Sequence, residues 1–497
     1  MRRVLTILAT ILASAPVCGA EPIEIGSQRE LFVDDFLLDR RAGVELRLQA
    51  PVPREVVMVY DAPWEGSGCC FATVFRDGPI IRKYYIAHDL TWNADGTKRV
   101  SRPTFACYAE SRDGIRWVRP ELGLFDYNGS KKNNIIWSGP KLDNFTPMKD
   151  PNPDCRPGEE YKAVGVALRS YELWAYKSAD GLHWSPLVDK PILTRGRFDT
   201  QNNAFWDPLR KHYWCYIRDY HFDDIRDIRV ATSNDFLTWT EPQKLHFPDA
   251  PDEQLYTNQV RPYYRAPHLF LGFPTRYIKR PWTPSSIKAL PDPEHRQRRM
   301  TFKTNPIGRY GTALTDGLFM TSRDGRTFHR WDEAFLRPGP ERRDNWVYGD
   351  CYQSLGLLET PATDPTAPPE LSFYVGENHW KGPVRLRRYT VRIDGFVSLH
   401  ARSRGECVTK PLVFHGKELT LNFSTSAAGY LRVELQDAGG QPLPEFTLAD
   451  SDELFGDSLE RVVTWKGKSN VAALAGQPVR VRFVMRDADL YSFRFQE

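Results

Sequence analysis

The chain has 497 residues, a length that suits two to four domains. Hydrophobic residues make up 41% of it and aromatic residues 13%, which excludes a largely disordered protein, because disordered chains lack the apolar side chains that offset chain entropy. The formal net charge of +4 is too small, for a chain of this length, to indicate binding to nucleic acid or to an anionic membrane surface.

The first twenty residues have the pattern of a secretory signal peptide. Arg2 and Arg3 form a basic start, residues 4–15 are mostly apolar, and the small residues at 18–20 offer a cleavage site. The apolar run is too short to span a membrane, and no later run reaches about 18 apolar residues. We therefore expect a protein that is secreted or periplasmic after cleavage, with no membrane span.

Seven cysteines remain after such a cleavage, at positions 69, 70, 107, 155, 215, 351 and 407. An odd number leaves at least one thiol free or bonded to another chain. Cys107 and Cys215 lie inside apolar runs and are expected to be core residues. Since no cysteine shows the paired spacing with histidine that binds zinc, we expect neither a metal nor another cofactor.

A short pattern, Ser-x-Asp-Gly-x-x-Trp, recurs four times with small variations. Asp-Gly favours a tight hairpin turn, Ser and Asp side chains bond amides of the turn, and the closing aromatic packs beneath it. Each copy follows a β-rich run, so each predicts a hairpin between two strands. The copies begin at Ser111, Ser178, Ser233 and Ser322.

A second pattern, an aromatic-rich strand that ends in polar residues, recurs at residues 83–89, 161–169, 212–219, 269–276 and 371–378. Five units of four strands predict a five-bladed β-propeller, and the alternative is an irregular β-sandwich with coincidental Asp-Gly turns. Near residue 400 the hairpin pattern stops, and alternating strands predict a separate antiparallel β-sandwich. The expected fold class is all-β, with the propeller at residues 21–400 and the sandwich at 401–497.

Propeller geometry restricts where chemistry occurs. The innermost strand of each blade begins at one face and the second strand returns to that face, here called the axial face. Residues that open first strands or close second strands therefore collect there. The Ser-x-Asp-Gly hairpins lie on the opposite face and are structural.

Acidic side chains are predicted on the axial face in every blade. Glycosidic cleavage needs one protonated carboxyl group to assist the leaving oxygen and one ionised carboxylate as base or nucleophile. The prediction makes Glu253 the general acid, Asp150 the base or nucleophile and Asp199 the orienting acid, with Glu377 as the alternate. The predicted substrate-binding residues are Trp64, Glu65, His88, Arg169, Asn202, Arg218, Asp219, Tyr256, Asn258, Arg276, Trp346, His379 and Trp380.

Other interpretations fit the same residues. Asp and Asn often begin strands as turn residues, and the arginines would then simply pair with the acids in a buried ring. A non-catalytic carbohydrate-binding propeller is the main functional alternative. A polysaccharide lyase is a further one, with His88, Tyr220 or His379 as the base beside an arginine.

The four hairpins, the five predicted blades and the trailing sandwich resemble the five-bladed propeller glycoside hydrolases. These are the invertase and fructan hydrolase group of family 32 and the arabinanases and β-xylosidases of family 43. Asp150-Pro151-Asn152 and Arg218-Asp219 are similar to parts of the invertase motifs. The resemblance implies a secreted glycoside hydrolase that cleaves a plant or algal oligo- or polysaccharide with a pair of carboxylates on the propeller axis.

Three arginines, Arg169, Arg218 and Arg276, close successive second strands on the axial face. Converging guanidinium groups bind carboxylate or sulfate in a fork geometry that lysine cannot supply. We therefore expect a carbohydrate partner, with a uronate- or sulfate-bearing sugar as one alternative. Sialidases are similar in joining such hairpins to an arginine trio, so a sialidase-like enzyme on acidic sugars is another alternative.

Overall fold

The computed structural model describes residues 21–92, 99–101, 104–139, 141–167, 170–222, 225–280, 283, 285, 313–342, 345–380 and 382–497. The expected signal peptide and Arg169 lie outside these residues. The chain separates into two compact units, one formed by Leu46–Ser398 and the other by the residues before Leu46 together with Leu399–Glu497. Within the described ranges, no helix is long and apolar enough to cross a membrane.

The unit Leu46–Ser398 is a five-bladed β-propeller, as the repeats predict. From the innermost strand outward, the strands are Cys70–Asp77, Ile80–Ala87, Phe105–Ser111 and Trp117–Val118 in blade one; Asp143–Lys149, Tyr161–Ala167, Glu172–Ser178 and Ser185–Pro186 in blade two; Asn203–Asp207, His212–His221, Ile225–Ser233 and Gln243–Lys244 in blade three; Arg261–Tyr263, Ala266–Gly272, Met320–Ser322 and His329–Arg330 in blade four; and Leu358–Thr360, Glu370–Glu377, Arg385–Val391 and Val52–Val59 in blade five. Additional strands of this unit are Leu90–Trp92, Arg99–Ser101, Ile135–Ser138, Thr275–Lys279 and Ala313–Gly317. The aromatic-rich runs form the second strand of every blade, which confirms that prediction.

The ring of blades is closed by a strand that the sequence patterns missed. Val52–Val59 precedes blade one in the chain but pairs antiparallel with Arg385–Val391, so it completes blade five. The innermost strand of blade five also contacts that of blade one. Pairing the two ends of the unit by backbone hydrogen bonds holds the first and last blades together.

The Ser-x-Asp-Gly hairpins connect the third and fourth strands of blades one to four, as predicted. In blade one, the Ser111 hydroxyl donates to Asp113 Oδ1 at 3.0 Å and accepts from the Gly114 amide at 2.9 Å. Asp113 Oδ1 also accepts from the amides of Ile115 and Arg116, each at 2.8 Å. The serine–aspartate contact recurs in the other copies, from Ser178, Ser233 and Ser322.

Each glycine-bearing hairpin is held by a tyrosine of the preceding blade. The tyrosine hydroxyl donates to the glycine carbonyl in the pairs Tyr84 with Gly181, Tyr216 with Gly325, and Tyr374 with Gly114, at 3.0, 2.8 and 2.5 Å. In blade three Phe236 stands in place of the glycine with the same left-handed backbone, and its buried ring packs 5.1 Å from that of Tyr213. The three glycine-bearing hairpins therefore fasten neighbouring blades to each other, whereas the Phe236 contact lies within blade three.

Gly181→Ala is expected to destabilise the protein by about 1–3 kcal/mol more than Gly158→Ala, because of overpacking. Both glycines have positive φ, 78° and 83°, so both substitutions strain the backbone. A Cβ on Gly181 would lie 2.6 Å from the Tyr84 hydroxyl oxygen, whereas one on Gly158 would meet no atom within 4 Å. Urea unfolding of the two variants measures the difference, and equal losses would contradict the tight packing of this hairpin.

The second unit is also all-β, as predicted for the C-terminal residues. Glu418–Asp437 and Val479–Gln496 pair antiparallel along most of their length. The other strands of this unit are Ile23–Gly26, Glu30–Leu31, Leu38–Ala42, Leu412–Phe414 and Asp457–Val462, with a 3-10 turn at Ala472–Leu474. Glu45–Leu48 and Val397–Thr409 are the strands in which the chain passes from one unit to the other.

The N-terminal strands differ from the expectation that residues 21–400 form the propeller. Ile23–Gly26 pairs parallel with Leu412–Phe414, and Glu30–Leu31 pairs antiparallel with Val479–Gln496. These strands therefore belong to the second unit. Their partners lie nearly four hundred residues away or more along the chain. Hydrophobic periodicity indicates which residues form strands but not which distant strands pair.

Candidate functional site

Amide hydrogen bonds cross the propeller axis, in a network here called the amide bridge. Gln259 of blade four donates to Gln201 Oε1 at 2.5 Å and to the backbone oxygen of Gln353 at 3.0 Å. Gln201 of blade three donates to Thr73 Oγ1 at 2.9 Å and to the backbone oxygen of Phe71 at 3.1 Å. Side chains and carbonyls of four blades thus meet at the axis.

Aromatic rings lie on the axial-face side of the amide bridge. Tyr256 stacks on Tyr352 at 5.6 Å between ring centres, and Tyr348 stacks on Trp380 at 6.4 Å. With Tyr277 they form what is here called the axial aromatic cluster. The structure thus brings together Tyr256 and Trp380, two of the predicted residues, and adds three tyrosines that the sequence interpretation did not select. Flat rings of this kind pack against the apolar faces of ligands.

Asp150 does not lie where the sequence interpretation placed it. It follows the end of Asp143–Lys149, the first strand of blade two, so it is on the face opposite to the axial one. Its carboxylate is buried and accepts from Lys162 Nζ at 2.5 Å and from the Tyr213 hydroxyl at 2.7 Å. The residue that opens this strand on the axial face is Asp143.

Glu253 and Glu377 lie at the predicted end of their blades, but their carboxylates form ion pairs with arginines. Glu253 Oε1 is 2.9 Å from Arg276 Nη1, and its Oε2 is 2.8 Å from Arg330 Nη1. Both oxygens of Glu377 accept from Arg387, at 2.7 and 3.1 Å. This arrangement matches the interpretation in which arginines pair with the acids, and it leaves little room for proton transfer to a leaving group.

Glu65 and Trp64 are held in a similar structural network in blade one. Glu65 is buried and accepts from Arg119 with both oxygens, at 3.1 and 3.0 Å, and from the Tyr85 hydroxyl. The indole of Trp64 donates to Asn134 Oδ1 at 2.9 Å. Their polar atoms are thus committed to contacts within the fold.

Asp143 and Asp199 border the axial aromatic cluster. Asp199 precedes the first strand of blade three, its side chain is 44% exposed, and one oxygen is 3.4 Å from Arg218 Nη2. Burial raises the pKa of Tyr256, and the neighbouring charge of Asp199 raises it further. Burial likewise raises the pKa of Cys70, with added effects of Cys69 and Asp143. Asp143 and Asp199, from neighbouring blades, are therefore near enough to raise the pKa of a group in the cluster or beside it.

The predicted arginine trio is only partly gathered at the cluster. The Arg218 guanidinium carbon is 5.3 Å from the Tyr256 ring centre, whereas Arg276 is held by Asp316 at 2.7 Å besides its contact with Glu253. Arg169 lies outside the described residues. The structure adds Arg226, whose guanidinium carbon is 4.3 Å from the ring centre of Tyr277.

Arg226 could have been found from the sequence. It lies near the start of Ile225–Ser233, the third strand of blade three, and third strands begin at the face where second strands end. The guanidinium is half-buried and donates to Gln254. In the part of the chain that the structure describes, no carboxylate is within ion-pair distance of it.

Most of the other predicted residues make contacts that stabilise turns and strands. These contacts are Asn202 with Phe198, Asn258 with Tyr216, Asp219 with Arg229, and Trp346 with Gly339, at 2.8, 3.3, 2.9 and 2.8 Å. The two histidines differ from them, because both pack against the axial aromatic cluster. His88 lies edge-on to Trp380 at 6.4 Å, and the buried His379 ring is 5.6 Å from that of Tyr352.

The seven cysteines within the described ranges carry free thiols, and Cys107 and Cys215 are fully buried, as predicted for core residues. Among the described residues, no group of three or more His, Cys, Asp or Glu side chains is placed to hold a metal ion.

The sequence matches no protein-family model and no curated protein. Its fold is similar to solved structures of carbohydrate-active proteins at low identity. An arabinoxylan arabinofuranohydrolase of glycoside hydrolase family 43 from Bacillus subtilis, in complex with cellotetraose, is 11% identical over 90% of this chain and 99% of that chain, with a TM-score of 0.40. An N-acetylgalactosamine deacetylase from F. plautii, in complex with blood group B trisaccharide, is 12% identical over 71% and 97%, with a TM-score of 0.42. A glycosyl hydrolase from Bacteroides ovatus is 15% identical over 73% and 93%, with a TM-score of 0.35.

Proposed function

We propose that the protein is a glycoside hydrolase that binds its sugar at the axial aromatic cluster and uses Asp143 and Asp199 as its pair of carboxylates. The observation that carries this proposal is that both acids open first strands of neighbouring blades and act on groups in or beside the cluster. Glycosidic cleavage requires two such carboxylates on either side of the scissile bond.

The two acids would have different roles. Asp199 is half exposed and has the positive charge of Arg218 beside it, so we assign it as base or nucleophile. Asp143 is half-buried near the Cys70 thiol and is assigned as the general acid. This pair replaces Glu253 and Asp150, since the first is held by two arginines and the second lies on the opposite face.

The proposed substrate is a plant or algal oligo- or polysaccharide, with acidic sugars favoured over neutral ones. Arg218 and Arg226 both present guanidinium groups to tyrosine rings of the cluster or beside it. A uronate or sulfate group would supply the negative charge that Arg226 does not receive from a described carboxylate.

The test is hydrolysis of a panel of neutral and acidic plant and algal glycans by the wild type and by Asp143→Asn and Asp199→Asn. Each variant is expected to lower kcat at least tenfold, because it removes a group that transfers a proton or attacks the sugar. Glu241→Gln is the matched control, since Glu241 makes an exposed ion pair with Arg195 at 2.8 Å.

Full activity of both Asn variants, or loss of activity in Glu253→Gln instead, would show that the carboxylate pair is wrongly assigned. Equal turnover of neutral and acidic glycans would refute the preference for acidic sugars without touching the hydrolase assignment.

A non-catalytic carbohydrate-binding propeller is the second candidate. It is favoured by the arginines that occupy Glu65, Glu253 and Glu377, because these contacts convert most of the predicted acids into structural ion pairs. Saturable binding of a glycan from the panel with no released product would support this candidate over hydrolysis.

We also propose that the protein is exported through residues 1–20. The pattern of basic, apolar and small residues supports this. Sequencing the N-terminus of the protein recovered outside the cytoplasm should give a start near residue 21, and a start at Met1 would refute cleavage.

A further inference from the structure

A cavity of about 790 Å³ occupies the propeller axis on the other side of the amide bridge. Thr73, Gln259 and Gln353, which belong to the bridge, also line the cavity, and the remaining lining residues follow them along the inner strands. Arg76, for example, lies three residues beyond Thr73 on its strand, about 10 Å further down at the rise of a β-strand. The cavity therefore extends from the bridge toward the face opposite to the proposed hydrolytic site.

The wall of the cavity is mainly apolar. Val74, Leu271, Phe273 and Leu355 are buried residues of inner or second strands or of the segments beside them, and all four line it. A cavity of this size with an apolar wall suits a small organic ligand that has a hydrophobic body.

Arg261 places a positive charge at the bridge end of this wall. It lines the cavity two residues after Gln259, and its guanidinium carbon is 4.9 Å from the ring centre of Phe205. Among the described residues, no carboxylate lies within ion-pair distance of the Arg261 guanidinium group and no hydrogen bond joins that group to another residue. Burial lowers the pKa of Arg261 to about 9, the direction expected of a cation without a counter-ion.

The other charged groups of the cavity differ from Arg261 in having partners or in being exposed. Lys149 is 2.5 Å from Asp77, and Glu359 accepts from the Tyr264 hydroxyl. Arg76 is exposed. Arg261 is thus the half-buried charge of this wall that lacks a partner among the described residues, and a charge withdrawn from water is costly unless something neutralises it.

We propose that the axial cavity binds an organic anion whose acidic group meets Arg261 and whose apolar body lies along Val74, Leu271 and Leu355. The site is separate from the axial aromatic cluster, because the amide bridge lies between them. Such a ligand supplies the missing counter-charge and also packs against the apolar wall. A neutral sugar lacks the charge, and an inorganic anion lacks the apolar body.

The test uses 4-phenylbutyrate as the anionic probe and 4-phenylbutan-1-ol as its uncharged counterpart, with binding to the whole protein measured by isothermal titration calorimetry. We expect saturable binding of the acid, at least tenfold tighter than binding of the alcohol. In Arg261→Met, which removes an uncompensated charge and keeps a long apolar side chain, the two probes should bind within about twofold of each other. Arg195→Met, on the exposed surface, should keep the preference for the acid.

Absence of saturable binding by either probe to the wild type would overturn the proposal, and so would an unchanged preference in Arg261→Met. If Arg261→Met melts at the same temperature as the wild type or at a higher one, the variant is folded. Its lost preference for the acid then comes from the lost charge. Because neither probe is a glycan, the outcome is independent of the hydrolysis assay.

Discussion

Asp150→Ala is expected to destabilise the propeller by about 3–5 kcal/mol, the usual cost of breaking a buried ion pair. The Asp150 carboxylate is 2.5 Å from Lys162 Nζ and 2.7 Å from the Tyr213 hydroxyl, and all of these groups are buried or nearly so. The substitution leaves the Lys162 ammonium group in the interior without its counter-charge. Urea unfolding of the wild type and the variant measures the loss.

The double variant Asp150→Asn/Lys162→Met distinguishes the ion pair from the mere loss of contacts. It removes both charges, so the stability that it loses should be well below the sum of the losses in the single variants Asp150→Asn and Lys162→Met. The exposed pair of Arg195 and Glu241 is the control, and Glu241→Ala should leave the unfolding midpoint almost unchanged. Additive effects of the two single substitutions would show that Asp150 and Lys162 do not stabilise each other.

Measuring both stability and glycan hydrolysis distinguishes a catalytic from a structural role for Asp150. A catalytic carboxylate can be lost with little change in stability, whereas this residue is expected to cost stability first. Asp150→Asn that folds as well as the wild type and yet loses all glycan hydrolysis would restore the interpretation drawn from the sequence.

The blades could be predicted because their signals are local. The Ser111, Asp113 and Gly114 contacts lie within one turn, so a short pattern reports them directly. Ring closure by Val52–Val59 and the placement of Ile23–Gly26 in the second unit depend on partners that lie hundreds of residues away in the chain. Alternation of residue types shows that such segments are strands, but it does not select their neighbours.

The axial face was harder to predict because one strand boundary decides which face a residue occupies. Asp150-Pro151-Asn152 has the composition of a turn, and a turn both starts and ends strands. The sequence interpretation took it as the start of a first strand, but the strand runs from Asp143 to Lys149 and ends there. In blades three and four the acids do precede their first strands, so Asp199 and Glu253 lie on the expected side.

The partners of the acids could not be predicted at all. Nothing in the local sequence of Glu253 indicates that Arg330, on the outermost strand of blade four, reaches one of its oxygens. The same holds for Glu65 and Arg119, because all four strands of blade one lie between them in the chain. Whether an acid has catalytic freedom depends on such contacts, and they exist only once the blades have packed.

His379 is expected to make the stability of the propeller depend on pH below neutrality. Its ring is buried beside Tyr352 and Trp380, and in the described structure neither ring nitrogen has a hydrogen-bond partner. Burial lowers the pKa of His379 from 6.5 to about 4. Between these values the unfolded chain binds a proton that the folded protein excludes, so stability is full above pH 6.5 and falls as the pH drops toward 4.

A shift of this size corresponds to a loss of about 3 kcal/mol in the free energy of unfolding by pH 4, at about 1.4 kcal/mol for each pKa unit. Urea unfolding of the wild type and His379→Gln at pH 7, 5.5 and 4 measures it, and the stability difference between the two proteins should move in favour of the variant as the pH falls. His246→Gln is the control, because His246 is exposed and should leave the pH dependence unchanged. Parallel stability curves for the wild type and His379→Gln would mean that His379 accepts a proton in the folded protein as readily as in the unfolded chain.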